Sequence, residues 1–197
     1  MSRMKQHTIC LHSQAPGVQK TYPQDFPTNP HFSGLIGAVH NENATFWKEG
    51  QIASPGIKQV AETGSKDGLA DEVASLIIDG SAYVKLSGDE MPVSPGTVTM
   101  RFTAHRDYHL ITFVSKLAPS PDWFVGISGM SLMEKNDWII EKAVELYVYD
   151  AGTDSGTTYT AEDQPTNPPE KIRKITGYPF LVEGKIVPVG RFSFLRL

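Results

Sequence analysis

A single cysteine, Cys10, is all that the 197 residues contain. One thiol excludes an intrachain disulfide and any cysteine-rich zinc site, so a fold in an oxidising compartment would stand without covalent staples. The length suffices for that: one sizeable core can close, and residues 1–197 read as a single domain. No window approaches the ~18 consecutive apolar residues of a membrane-spanning helix. The opening "MSRMKQHTICLHS" lacks the apolar stretch of about 7–15 residues that a signal peptide carries. Basic clusters are missing too. With a formal net charge of −4, the chain has no electrostatic attraction for nucleic acid or anionic lipid, so nucleic-acid partners are excluded and a membrane partner is not expected. The nucleotide-binding patterns G-x-x-x-x-G-K-[ST] and G-x-G-x-x-G do not occur, and "GISGMS" is not a G-x-S-x-G elbow.

What is present points to β structure. Seventeen Gly and 14 Pro imply many turns and few long helices. "HTICLH" (His7 to His12) reads as a strand, and Pro23, Pro27 and Pro30 make Tyr22 to Asn41 read as coil. Ser54 before Pro55 predicts a short helix from Pro55 to Glu62 that Gly64 ends. Leu69, Val73, Leu76 and Ile77 share one face of a second predicted helix. From Thr97 the pattern changes to period two. "TVTMRFTA", "HLITFVSKL", "DWFVGISG", "AVELYVYD", "KIRKIT" and "GRFSFLRL" are six predicted strands, with "HRDY" as a hairpin connection between the first two. "EDQPTNPPE" reads as a surface loop. Together these predict an all-β sandwich with one or two short helices in the first half.

The chemistry-bearing residues are few. "DAGTDSG" places Asp150 and Asp154 four positions apart in a Gly-containing turn, and "PSPD" places Asp122 at the start of a strand. In a sandwich, loops at one end lie together, so three carboxylates from two loops could converge on a hard cation such as calcium, which takes six to eight oxygens. An ordinary solvated turn, in which Asp and Ser bond to nearby amides, explains the same residues. His105 and His109 are four apart, but their flanks are strands and no metalloprotease Glu stands between them, so they read as surface histidines. His31 and His40 are expected to bond to backbone. Trp47, Trp123 and Trp138 read as core, with Trp123 also able to wall a ligand site beside Asp122. Asn43, in "NAT", is a glycosylation acceptor if the chain meets the eukaryotic secretory pathway.

Four longer stretches carry a family resemblance. "FPTNPHFSGLIGAVHN", "FWKEGQIASPGIKQVAETG", "LAPSPDWFVGISGMSL" and "WIIEKAVELYVYDAGTDSGTTYT", in that order, resemble the spondin domain, across roughly residues 22–176. The resemblance implies an antiparallel C2-like β-sandwich with calcium held where loops meet at one edge. It implies Asp122, Asp150 and Asp154 as the metal ligands. Two departures limit the transfer. The chain has no room for the thrombospondin-type repeats of animal spondins, and it lacks their cysteines.

The resulting expectation is a non-enzymatic, monomeric, calcium-binding module, extracellular or at the cell surface, with calcium in a mainly structural role and a protein or glycan as ligand. The sequence leaves two alternatives open: a hydrolase acting on sugars or esters, and a calcium-dependent membrane-docking module.

Overall fold

The structure of the chain is a computed structural model; it describes residues 5–13, as backbone, and residues 26–197. The start of the predicted coil, Tyr22 to Asp25, lies outside the described residues.

Two antiparallel sheets face each other, and two helices cover the outer face of one of them. The first sheet contains β1 (Lys5–Ser13) and β5 (Thr97–Ala104) together with β10 (Glu141–Leu146) and β15 (Gly190–Arg196), in the order β10-β15-β1-β5. The second is built from β2 (His31–Phe32), β3 (Ile36–His40), β4 (Ala82–Ser87), β6 (Leu110–Ala118), β7 (Trp123–Ser131), β11 (Tyr149–Asp150) and β12 (Arg173–Lys174). Its order is β12-β11-β7-β6-β3-β4, with β2 pairing onto β6. Two small ribbons complete the list: β8 (Met133–Glu134) with β9 (Asp137–Trp138), and β13 (Leu181–Val182) with β14 (Lys185–Ile186). The all-β, antiparallel expectation holds.

Side-chain alternation divides the core into two layers. On β6, Ile111, Phe113 and Leu117 join the cluster between the sheets, where Phe113 meets Phe192 edge-on with ring centroids 4.5 Å apart. On the opposite face of the same strand, Val114 packs with Ile36, Ala38 and Phe124 against the helices. Opposite-face alternation is the period-two geometry of a strand. Here both faces are covered, so β6 is buried along almost its whole length. Gly37 permits the close approach of β3 to β6, since a Cβ there would lie 2.0 Å from the Thr112 carbonyl oxygen.

The helices are α1 (Pro55–Thr63) and α2 (Asp67–Ile78). As the sequence predicts, the Ser54 hydroxyl accepts from the Ile57 amide at 3.2 Å, and Gly64, at φ +74°, ends α1. Glu72 of α2 completes the cap. Its carboxylate accepts from the Gly56 amide at 2.7 Å and the Ser54 hydroxyl at 2.8 Å, satisfying an orphan donor at the positive end of α1. The predicted apolar face of α2 is only half used: Leu69 and Val73 are buried, whereas Ile77 is exposed.

Several local expectations are corrected. "HRDY" is not a hairpin, because β5 and β6 belong to different sheets and the segment arches between them. "AVELYVYD" is not one strand: β10 stays with the first sheet, and the chain crosses at Tyr147 and Val148 to pair β11 with β7. "KIRKIT" shortens to Arg173–Lys174. Coil was expected across Tyr22 to Asn41, yet Ile36–His40 forms a wholly buried strand; "IGAVH" shows no alternation because both of its faces are covered.

Candidate metal centre

Strand pairing brings the acids together. In the β7–β11 register Asp150 faces Trp123, which sets it beside Asp122 at the end of the β6–β7 turn. The Ala151 amide then donates to the Asp122 carbonyl at 3.2 Å, extending that pairing by one residue. Gly152 follows at φ +74°, a conformation that glycine adopts freely. From there the chain turns so that Thr153 and Asp154 present their amides to the Asp122 side chain.

Asp122 is fully buried. Its Oδ2 accepts from the Thr153 amide at 2.7 Å, the Asp154 amide at 3.1 Å and the Thr153 hydroxyl at 3.3 Å. Its Oδ1 is equally buried and has no hydrogen-bond partner. Burial, and after it the neighbouring Asp150, push the Asp122 carboxyl up to about 6, while the two amides and the hydroxyl pull the other way. An orphaned carboxylate oxygen in such a place costs stability unless a proton or a cation reaches it.

The other two acids are tied more completely. Asp150 Oδ1 accepts from the Gly152 amide at 2.8 Å, and Oδ2 takes Nη2 of Arg173 at 2.8 Å. Asp154 Oδ1 accepts from the Gly156 amide at 2.7 Å and Oδ2 from the Gln164 amide at 2.8 Å. Asp150 and Asp154 are both buried, so "DAGTDSG" is not a solvated turn. What buries it is "EDQPTNPPE", itself mostly exposed as predicted. The Glu170 amide donates to the Gly152 carbonyl at 2.7 Å, the Thr166 amide to the Thr153 carbonyl at 2.9 Å, and the Ser155 amide to the Gln164 carbonyl at 2.9 Å.

Two cations missed by the sequence reading hold the surroundings. Lys116, on the helix-facing side of β6 and 7% exposed, donates through Nζ to the carbonyls of Ala61 at 2.6 Å, Ser120 at 2.7 Å and Pro121 at 3.3 Å. It thereby clamps the end of α1 to the turn that carries Asp122. Burial pulls its ammonium down to about 8, against the attraction of Asp122. Its signal in the sequence is a lysine inside the otherwise apolar strand "HLITFVSKL". Arg173 is the second, paired opposite Asp150 on β12.

As donors for a metal, the acids suit a hard cation, and Asp122 Oδ1 is the oxygen that lacks a partner. Among the described residues, no three His, Cys, Asp or Glu side chains close on one point by themselves. Any ion would therefore draw on backbone carbonyls and water as well as on the carboxylates. Carboxylate oxygens that already accept one amide keep a second lone pair for such a role.

The described histidines have partners other than the three acids. His105 Nδ1 lies 3.3 Å from Asp107, and His109 Nε2 lies 3.6 Å from Glu42. His31 and His40 contact the carbonyls of Asn29 and Asn41 at 2.9 and 2.7 Å, the backbone bonding that the sequence suggested. Trp47, Trp123 and Trp138 are all buried in the core.

Residues 13–180 match the family model for the spondin N-terminal domain, Spondin_N. The chain belongs to the spondin N-terminal domain family. Over 165 residues it is 39% identical to Spondin-1 of Gallus gallus, covering 80% of this chain and 20% of that protein. Human Spondin-1 is 37% identical over 164 residues, with the same coverage, and human Spondin-2 is 30% identical over 194 residues, covering 91% of this chain and 58% of that protein. The chain thus spans about a fifth of the length of the Spondin-1 relatives. Both acidic loops of this spondin domain lie within the matched residues, whereas β15, which separates β10 from β1, lies beyond them.

Proposed function

We propose that this spondin domain is a non-catalytic binding module that works outside the cell, with calcium fastening the two acidic loops. The observation that carries the proposal is Asp122 Oδ1: a buried carboxylate oxygen without a partner, beside a second buried acid, Asp150. Asp122, Asp150 and Asp154 would hold the ion once the two loops draw in around it, since their side chains do not close on one point without it, and backbone carbonyls and water would complete six to eight oxygens. When bound, calcium supplies positive charge that these acids otherwise find, among the described residues, in Arg173 and, at longer range, Lys116.

The protein's own part is positional. Lys116 fixes the turn before Asp122, the pairing of Asp150 with Trp123 fixes the second acid, and Asp122 Oδ2 fixes the loop that brings the third. A site so enclosed by backbone suits a structural ion more than a catalytic one, which needs an open position for substrate. The net charge of −4 supports a protein or glycan ligand over nucleic acid or an anionic membrane. Crystals grown with calcium test the reading. An ion with oxygen ligands at about 2.3–2.6 Å that include Asp122 supports it; water or Arg173 alone among these acids at saturating calcium would refute it.

A further inference from the structure

A cleft of about 280 Å3 opens beside Asp150, walled by Trp123, Thr157, Arg173, Thr176 and Tyr178 among others. Among the described residues two cations line it, and Arg173 is the one that faces Asp150, whereas Lys174 holds its ammonium over the Tyr147 ring, 3.3 Å from the centroid. The Arg173 side chain is 64% exposed, and Asp150 engages only Nη2. A guanidinium carries five N–H donors in a planar fork, so a second acceptor can be held without breaking the bond to Asp150. Thr157 and Thr176 add hydroxyls, and Asp150 is the one acid among the described residues of the wall.

This donor set fits an anion, and its shape and charge select which one. Two parallel N–H groups match the two oxygens of a carboxylate. A doubly charged phosphate would meet stronger repulsion from Asp150 than a singly charged carboxylate does. Asp150 is also shared, since the same side chain serves Arg173 and, on the reading above, calcium. The two cations repel each other across it. A carboxylate on Arg173 would relieve that repulsion.

We propose that the cleft binds a carboxylate group of a partner polypeptide through Arg173, and that this carboxylate and calcium strengthen each other's binding. The inference rests on the calcium reading for its second half. By thermodynamic linkage, whatever factor the carboxylate adds to calcium affinity, calcium adds to carboxylate affinity.

Calcium titration calorimetry on the purified chain tests it, with the peptide acetyl-Ala-Ala-Glu-Ala-Ala-amide and its Glu-to-Gln counterpart as probes. The glutamate peptide is expected to tighten calcium binding about fivefold or more, and the glutamine peptide to leave it unchanged. In Arg173→Gln the peptide effect should vanish, while calcium binds more tightly than to the parent without peptide. Far-ultraviolet circular dichroism confirms that the exposed substitution leaves the fold intact. Equal calcium affinity with both peptides, or a peptide effect that survives in Arg173→Gln, would overturn the proposal. Absence of calcium binding without any peptide would instead bring down the calcium reading, and a change in tryptophan fluorescence on adding the glutamate peptide, absent with the glutamine peptide and in Arg173→Gln, would then support the carboxylate half: no such change overturns that half as well.

Discussion

Asp122 and Thr153 are 31 residues apart in the chain, yet the Thr153 amide and hydroxyl both donate to one oxygen of the Asp122 side chain, at 2.7 and 3.3 Å. That bond closes the acidic loop onto the β6–β7 turn. It makes Asp122 at once a structural acceptor and the carrier of the one orphaned carboxylate oxygen in the cluster. The two roles separate by substitution. Asp122→Asn keeps an acceptor for the amides and should abolish the calcium response while retaining the fold. Asp122→Ala leaves the Thr153 and Asp154 amides buried without an acceptor, at a cost of about 2–3 kcal/mol beyond the loss of calcium. Urea denaturation of both variants in chelator measures the difference.

Gly152 should tolerate alanine far less well than Gly50. Both have positive φ, +74° and +87°, so both substitutions meet the same backbone penalty of about 1–2 kcal/mol. At Gly50 a Cβ would meet nothing within 4 Å, but at Gly152 it would lie 2.4 Å from the Glu170 carbonyl oxygen. Gly152→Ala should therefore force apart the loop that carries Asp150 and Asp154 and weaken calcium binding. Gly50→Ala should leave calcium binding unchanged, as titration of the two variants side by side would show.

Lys116→Met should loosen the turn before Asp122. The substitution keeps the aliphatic length but withdraws an ammonium from the carbonyls of Ala61, Ser120 and Pro121. Hydrogen bonds from a charged donor contribute about 1.5–3 kcal/mol. A melting temperature lower by about 5–10 °C is expected for a chain of this size. Hydrogen exchange at the Trp123 amide, which donates to the Ser120 hydroxyl at 3.2 Å, should accelerate with it.

His40 gives the fold a pH dependence that is independent of the acids. It is buried; its Nδ1 donates to the Asn41 carbonyl, and its Nε2 accepts from the Thr112 hydroxyl, which itself accepts from the Gly129 amide at 2.8 Å. Burial lowers its pKa below 6.5, with Asn41 and Glu42 acting in the raising direction and His109 in the lowering one. A lowered folded-state pKa means that the unfolded chain takes up the proton first. The contribution to stability is therefore complete above about pH 6.5 and is lost as pH falls toward and through the lowered value. Asp122, whose carboxyl is raised to about 6, acts in the opposite direction over the same range and does so in both proteins, so melts from pH 8 to 5 in chelator should show the parent losing stability relative to His40→Gln as pH falls.

The sequence was most readable where one face of an element is wet. "TVTMRFTA" alternates because β5 exposes alternate residues, and its predicted and observed limits coincide. β3 was invisible for the opposite reason: covered on both faces, its five residues are all buried and carry no period. The three acids were named from spacing and family resemblance, but their burial was not legible. The residues that cover "DAGTDSG" lie nine or more positions downstream of their partners and act through backbone amides and a carbonyl, which leave no mark on side-chain identity. Arg173 was overlooked because its role depends on the β11–β12 register, a tertiary fact.

If calcium fastens Asp122, Asp150 and Asp154, the ion must raise the temperature at which the domain unfolds. Calcium at about one hundred times its dissociation constant adds roughly 2.7 kcal/mol. That corresponds to a rise of about 5–10 °C for a chain of this length. The rise should saturate at one ion per chain and disappear in Asp150→Asn. An unchanged melting temperature between chelator and millimolar calcium would mean that no ion fastens these loops.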